Sequence, residues 1–485
     1  MVSGEFLKIN FSCCRLISFC SNLQNIHALT SSPRNVCAKH ANRNIPEDPI
    51  GEICSSAKFT PPNINHITAR FSRSVPRCNR ARGEFHSTPG ASKFILVESM
   101  KSLRLIRILA TGSLVLLGGG AIQAADYPAS MAGTNLISLL EVQRLKFKLP
   151  ALAAAVIRGD QTIAIGATGF RRQGGVEKIT RDDKFHIGSC TKSMTGTLAA
   201  MMVEEGRIRW DQTVADVFPD LAASMNPDYR HTTLEWLCAN RGGTPNTLDA
   251  DGLWGRLWRG NTRPPREQRQ EMLRSVLTKA PAATPGTTNI YSNAGVAIAG
   301  AMLETVAGKS WEDLIQEKLF RPLDMKSAGF GAPAAVGQVN QPWGHVREGG
   351  QWKPIPPGPA ADNPAAIGPA GTVHCSIGDL AKYVALHLDG ENGRARLLKP
   401  ESFKKLHTPL AGQSYGMGWF VTRRGWGGGT VLNHNGSNTM FYTVIWIAPK
   451  KDFGVIVCTN VGGDEAAKDC DEVVGQLIQK YLTGM

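Results

Sequence analysis

The sequence predicts a mixed α/β (α+β) fold: an antiparallel sheet flanked by helices, with a mainly helical domain inserted at roughly 195–335. Three observations carry this expectation. Strand-like apolar runs stand near both ends of the main body, at 151–157 and 162–165 in front and at 440–447 and 453–459 behind. The middle of the chain has helical spacing broken by loops rich in proline and glycine. Helical patterns also lie outside the strands at both ends. One sheet built from both ends of the chain and interrupted by helices is the simplest packing of that order.

The chain has 485 residues, 42% of them hydrophobic, enough for one large or two ordinary domains. Its formal net charge of +14 is unevenly placed: +6 falls in residues 1–99, +3 in 100–124 and only +5 in the rest. So balanced a body gives no argument for nucleic acid or anionic lipid as a partner. Six of the eleven cysteines precede residue 100. The body keeps Cys190, Cys238, Cys375, Cys458 and Cys470, none with CxxC spacing, which argues against a zinc site or a dense disulfide framework. One bridge among these five stays open and unassigned.

Along the chain, residues 1–99 hold scattered cysteine, arginine and asparagine with no sustained period. They are expected to form a non-native or disordered extension, translation starting at Met100; a targeting extension is the alternative. Residues 100–124 read as a signal peptide. Lys101, Arg104 and Arg107 precede an apolar run from Ile108 to Ile122, and Gln123-Ala124-Ala125 offers small residues for cleavage after Ala124. That run is short for a membrane span. A periplasmic or secreted protein is the expectation, with membrane contact only if the segment stays uncleaved.

Residues 125–485 form the main body. Leu136, Leu139, Leu140, Val142 and Leu145 suggest an amphipathic helix. Gly159-Asp160 reads as a hairpin turn between the first two strands. Pro449-Lys450-Lys451-Asp452 divides the last two, and a closing helix starts near Asp464 with Val473, Val474, Leu477, Ile478, Tyr481 and Leu482 on one face.

Three stretches carry chemistry. In the first, Gly188-Ser189-Cys190-Thr191-Lys192 precedes a helical run ending at Gly206. Ser189 and Lys192, three residues apart at a helix start, share a face, so the amine reaches the serine oxygen. To act as a base the lysine must lose its proton near pH 7, about three units below its free value, through burial or a neighbouring cation. Alone, the tetrad is weak, since a capping serine followed by an exposed lysine looks the same. In the second stretch, Tyr291-Ser292-Asn293 precedes an apolar helix; the phenol suits proton transfer and the amide suits a substrate amide. The plainer alternative is a packed tyrosine with Asn293 as helix cap. In the third, His434-Asn435-Gly436-Ser437 precedes a strand expected near Met440. Gly436 permits close backbone approach, and the amides of Ser189 and Ser437 suit an oxyanion hole.

In this order the three stretches resemble the serine β-lactamase and penicillin-binding superfamily, with its β-lactamase/transpeptidase-like fold. The Tyr-x-Asn form is similar to the class C branch, which also holds D-alanyl-D-alanine carboxypeptidases, D-amino-acid amidases and esterases. Phe320-Arg321-Pro322-Leu323-Asp324-Met325, Gly368-Pro369-Ala370-Gly371 before Ser376-Ile377-Gly378-Asp379-Leu380, and Tyr415-Gly416-Met417-Gly418-Trp419 resemble further segments of it, the last a strand before the third motif. The likeness covers about 145–480. It implies Ser189 as nucleophile, Lys192 and Tyr291 as acid/base partners, Asn293 on the substrate amide, His434 at the third-motif position, and Ser189 and Ser437 as oxyanion donors. No metal or organic cofactor is implied.

Two departures bear on substrate. His434 stands where class C β-lactamases have lysine, so efficient β-lactam hydrolysis is not expected. Asn240-Arg241-Gly242 replaces the end of a Leu-Leu-x-His-Thr-Ser-Gly stretch, so an altered loop near the site is expected. The function expected is an exported serine hydrolase acting on a small-molecule or peptide substrate. Esters and D-amino-acid amides or peptides rank ahead of β-lactams. The alternative is a penicillin-binding sensor or scaffold that acylates without turnover.

Overall fold

A strand apolar at nearly every position must be covered on both faces, and Ala151–Arg158 (β1) is. The computed structural model describes residues 129–258 and 261–484, all within one unit of the chain, Val115–Met485. The extension 1–99 and the signal segment 100–124 lie outside the described residues. Helix Ala129–Phe147 (α1) leads into β1, which turns through Gly159, at φ +58°, into Gln161–Gly169 (β2). Arg158 pairs with Gln161, so the two-residue hairpin stands where Gly159-Asp160 indicates it.

Lys184–His186 (β3), Gly329–Phe330 (β4) and Val373–Ser376 form a small sheet, and Gly344–Glu348 (β5) pairs with Gln351–Ile355 (β6). With Val373–Ser376 as β7, the last strands are Phe420–Arg424 (β8), Gly429–Ser437 (β9), Tyr442–Ala448 (β10) and Phe453–Thr459 (β11). The main sheet runs β2-β1-β11-β10-β9-β8, every neighbour antiparallel. The first strand of the body therefore pairs with its last, Ala155 opposite Ile456.

Period-two alternation divides the core into two layers. Leu152, Ala154 and Val156 join Val455 and Val457 under α1 and the closing helix Asp464–Ile478. Ala153, Ala155 and Ile157 join Ile456 and Cys458 on the opposite face, beneath Ile377–Glu391. The closing helix buries Val473, Val474, Leu477 and Ile478, as its spacing indicates. The first helix departs from expectation. Its buried stripe is Leu136, Leu140 and Gln143, whereas Val142 and Leu145 are 62% and 60% exposed. Positions four and three apart share a face at 100° per residue, and Val142 and Leu145 fall outside that stripe.

Between β3 and β4 the chain is helical. Its longest elements are Thr191–Glu204 (α2), Pro265–Leu277 (α3) and Asn293–Ala307 (α4). α2 is buried on all sides from Thr191 to Met202, with its hydroxyls satisfied internally: Thr195 donates to the Pro369 carbonyl at 2.6 Å and Ser193 to Cys190 at 2.8 Å. Fully buried Arg269 on α3 ties Glu304 of α4 to Glu312. The segment 415–419 is a turn rather than the expected strand. Gly418 has φ +89°, and pairing along the sheet begins only at Phe420. All five cysteines of the body are buried and free. No helix among the described residues is long and apolar enough to cross a membrane.

Candidate active site

Ser189 sits in the 3₁₀ turn Gly188–Cys190 that leads into α2. Gly188 and Cys190 are buried while Ser189 is half-buried, so the turn offers that side chain to its surroundings. Gly188 adopts φ +49°, and a Cβ there would stand 2.3 Å from the Ser437 amide nitrogen. Only glycine meets both conditions.

Lys192, one helical turn on, is 1% exposed. Its Nζ has three oxygen partners: Ser189 Oγ at 3.0 Å, Asn293 Oδ1 at 2.6 Å and the Ala370 carbonyl at 2.9 Å. Burial lowers the amine from 10.5 to about 7, so the neutral form is accessible near pH 7. A neutral amine has two N–H bonds and one lone pair. Asn293 Oδ1 and the Ala370 carbonyl can only accept, so they take the two protons. The lone pair is left for the one partner that can donate, the Ser189 hydroxyl.

Tyr291 and Asn293 flank Ser292, whose hydroxyl accepts the Gly295 N–H at 3.1 Å and caps α4. The cap is thus Ser292, and Asn293 is released to meet Lys192. The Tyr291 ring lies 4.7 Å from Lys192 Nζ. Burial pushes its phenol well up, against a side-chain hydrogen bond from Ser189, so the phenol keeps its proton. The altered loop holds this segment in place: Asn240 Oδ1 accepts the Ser292 N–H at 3.0 Å, and its carbonyl accepts Ile290 N–H at 2.8 Å. Asn240 does so at φ +57°, a left-handed conformation that asparagine tolerates better than most residues.

Residues of the third stretch lie at the end of β9, which closes at Ser437, and the next strand, β10, begins at Tyr442. A Cβ on Gly436 would stand 2.1 Å from the Ile187 carbonyl and 2.4 Å from the Ser189 amide nitrogen. Strand end and nucleophile turn are therefore in backbone contact. Ser437 is half-buried, its hydroxyl accepting Thr439 N–H at 2.9 Å.

His434 is fully buried. Its Nδ1 lies 2.6 Å from the Asn435 carbonyl, which can only accept, so Nδ1 carries the proton. Its Nε2 then accepts from the Tyr415 hydroxyl at 3.0 Å. Burial, with Lys192 adding to it, lowers the imidazole to about 3. Tyr291, Tyr415, Phe420 and His434 form one ring cluster; Tyr415 meets Phe420 edge-on at 4.8 Å.

The structure thus brings Ser189, Lys192, Tyr291 and Asn293 together and sets Gly436 and Ser437 against the same turn. Tyr415 and Ala370 stand in segments singled out by resemblance, yet their parts were not visible in sequence. A backbone carbonyl carries no residue-type signal at all.

The Beta-lactamase family model matches residues 139–477. The Unguisins hydrolase ungD of Aspergillus violaceofuscus is 28% identical over 349 residues, covering 65% of this chain and 59% of its own length. The chain thus spans about three fifths of that fungal relative. Penicillin-binding protein 4 of Amycolatopsis lactamdurans is 26% identical, over 66% of this chain and 83% of its own. Among solved structures, the octameric penicillin-binding protein homologue from Pyrococcus abyssi superposes with a TM-score of 0.59 at 23% identity, over 71% of this chain and 77% of that one. A D-stereospecific amidohydrolase from Streptomyces sp. gives 0.56 at 21%, over 70% and 97%. At such identities the structural likeness concerns the fold.

Proposed function

The chain belongs to the Beta-lactamase family of serine hydrolases, and from that premise we propose that it cleaves an ester or amide through an acyl-enzyme on Ser189. The single observation that carries this reading is the partner set of Lys192: two obligate acceptors and the Ser189 hydroxyl around an amine lowered to about 7. Lys192 takes the Ser189 proton as Oγ attacks the carbonyl carbon. The resulting oxyanion is held by the amides of Ser189 and Ser437; one such donor is typically worth about 3 kcal/mol. Collapse expels the leaving group, which takes a proton through the protonated Tyr291 phenol. Water then attacks the acyl carbon, giving up its proton by way of the Tyr291 phenol to Lys192, which returns it to Ser189 Oγ as the C–O bond to the acyl group breaks and the acid is released.

Esters and D-amino-acid amides or peptides are the favoured substrates, ahead of β-lactams. The neutral, internally bonded His434 supports this ranking, because it offers no cation to a carboxylate beside the scissile bond. A periplasmic or secreted site of action rests on the signal-like segment 100–124.

The test follows intact mass and product release with a chromogenic short-chain ester, a D-amino-acid anilide and a labelled penicillin. Turnover of the ester or anilide, lost in Ser189→Ala, is the expected result. A lasting penicillin adduct without turnover of any of the three replaces this reading with a penicillin-binding sensor. Full activity in Ser189→Ala overturns the mechanism.

A further inference from the structure

Behind the nucleophile turn lies a buried polar chain that the mechanism above does not use. His186, the last residue of β3, is fully buried. Its Nδ1 accepts the Gly188 N–H at 3.0 Å, one residue before Ser189. The ring proton therefore sits on Nε2, 2.7 Å from Asp362 Oδ1, on the side where the carboxylate favours it. The same carboxylate oxygen accepts from Asn438 Nδ2 at 3.2 Å. Asn438 follows Ser437 directly, and its Oδ1 accepts the Met440 and Phe441 N–H groups at 3.2 and 3.0 Å. One chain, Gly188–His186–Asp362–Asn438, thus joins the residue before Ser189 to the residue after Ser437.

Asp362 is 7% exposed, and among the described residues its carboxylate faces the neutral ring of His186 rather than a lysine or arginine. A buried carboxylate without a full cationic partner costs stability, and a neutral amide would fill the same space more cheaply. What the carboxylate adds is direction. It fixes the tautomer of His186, which fixes the acceptor for Gly188, and it orients the Asn438 amide that shapes the turn after β9.

We infer that His186, Asp362 and Asn438 are positioning residues that set the spacing of the Ser189 and Ser437 amides, and so tune the oxyanion hole to a carbonyl oxygen. This rests on the acyl-enzyme reading above. None of the three touches substrate; they act through the two amides.

The experiment uses the full chain with 4-nitrophenyl acetate and its thionoester, in which sulfur replaces the carbonyl oxygen. Sulfur accepts hydrogen bonds poorly, so the oxygen-to-sulfur rate ratio reads the oxyanion hole rather than general integrity. Asp362→Asn and His186→Asn are both made, so that misfolding of one leaves the other. Folding is checked by near-ultraviolet circular dichroism. In a folded variant kcat on the oxygen ester is expected to fall about 10- to 100-fold with KM nearly unchanged, and the ratio to shrink about tenfold. Asp362→Glu, which keeps the charge, is expected to restore part of the ratio. A folded variant that loses rate equally on both esters, or loses none, overturns the inference. A wild-type protein that turns over neither ester and forms no Ser189 adduct sinks the hydrolase reading instead, which is a different outcome.

Discussion

Tyr415 Oη and His434 Nε2 lie 3.0 Å apart, and the other nitrogen of the same ring faces the Asn435 carbonyl at 2.6 Å. Both nitrogens are therefore spent within the protein. Replacing His434 by lysine is expected to raise kcat/KM for an ester carrying a free carboxylate about tenfold relative to its methyl ester, the worth of one modest ion pair, ~1.4 kcal/mol. Steady-state kinetics on the matched pair checks this. An unchanged ratio in a folded variant means that the third-motif position does not govern charge selection.

The rate should titrate with Lys192. The amine is the base only when neutral, and burial brings it to about 7. Below that value kcat/KM is expected to drop about tenfold per pH unit, and above it to level off. The raised Tyr291 phenol adds no falling limb near neutrality. A profile flat from pH 5 to 9 would exclude Lys192 as the base.

The same burial carries a stability cost. In the unfolded chain Lys192 keeps its proton up to 10.5, whereas in the folded protein it is lost above about 7. The unfolded state therefore binds more protons between these values, and stability falls as the pH drops from 10.5 to 7. At pH 7 the cost is on the order of 4 kcal/mol. Lys192→Met removes it but leaves Asn293 Oδ1 and the Ala370 carbonyl without a donor, at about 1–2 kcal/mol each. The variant is expected to be inactive yet about 1 kcal/mol more stable at pH 7, with a higher Tm by calorimetry. A lower Tm would mean that the amine's bonds outweigh its desolvation.

Gly436→Ala tests the backbone contact. The new Cβ meets the Ile187 carbonyl and the Ser189 amide, so the turn must move. Activity is expected to fall about 100-fold or more, through a misplaced oxyanion donor. The circular dichroism spectrum should change little, since the sheet core lies elsewhere. Wild-type kcat in this variant would show that the turn and β9 move apart freely.

Chemistry was more legible in the sequence than placement. Ser189 with Lys192, and Tyr291 with Asn293, are close in the chain, and short-range helical geometry fixes their relation. The hairpin at Gly159 and the closing helix are legible for the same reason. Asn240, Asp362 and Ala370 are not. Asn240 meets Ser292 across 52 positions, Asp362 meets Asn438 across 76, and Ala370 meets Lys192 across 178 through a backbone atom. No local period encodes such pairings. The exposed Val142 and Leu145 mislead in the opposite sense, because apolar residues on a helix need not all belong to its buried stripe.

The pairing of β1 with β11 has a consequence for the life of the chain. Contacts between strands so distant in sequence form late and raise contact order. A ribosome that has delivered Ser189, Lys192, Tyr291 and Asn293 has still not delivered the strand on which β10, and through it β9, is stacked. A nascent chain, or one clipped at the Pro449–Asp452 turn, carries every reactive group and lacks the frame that aligns them.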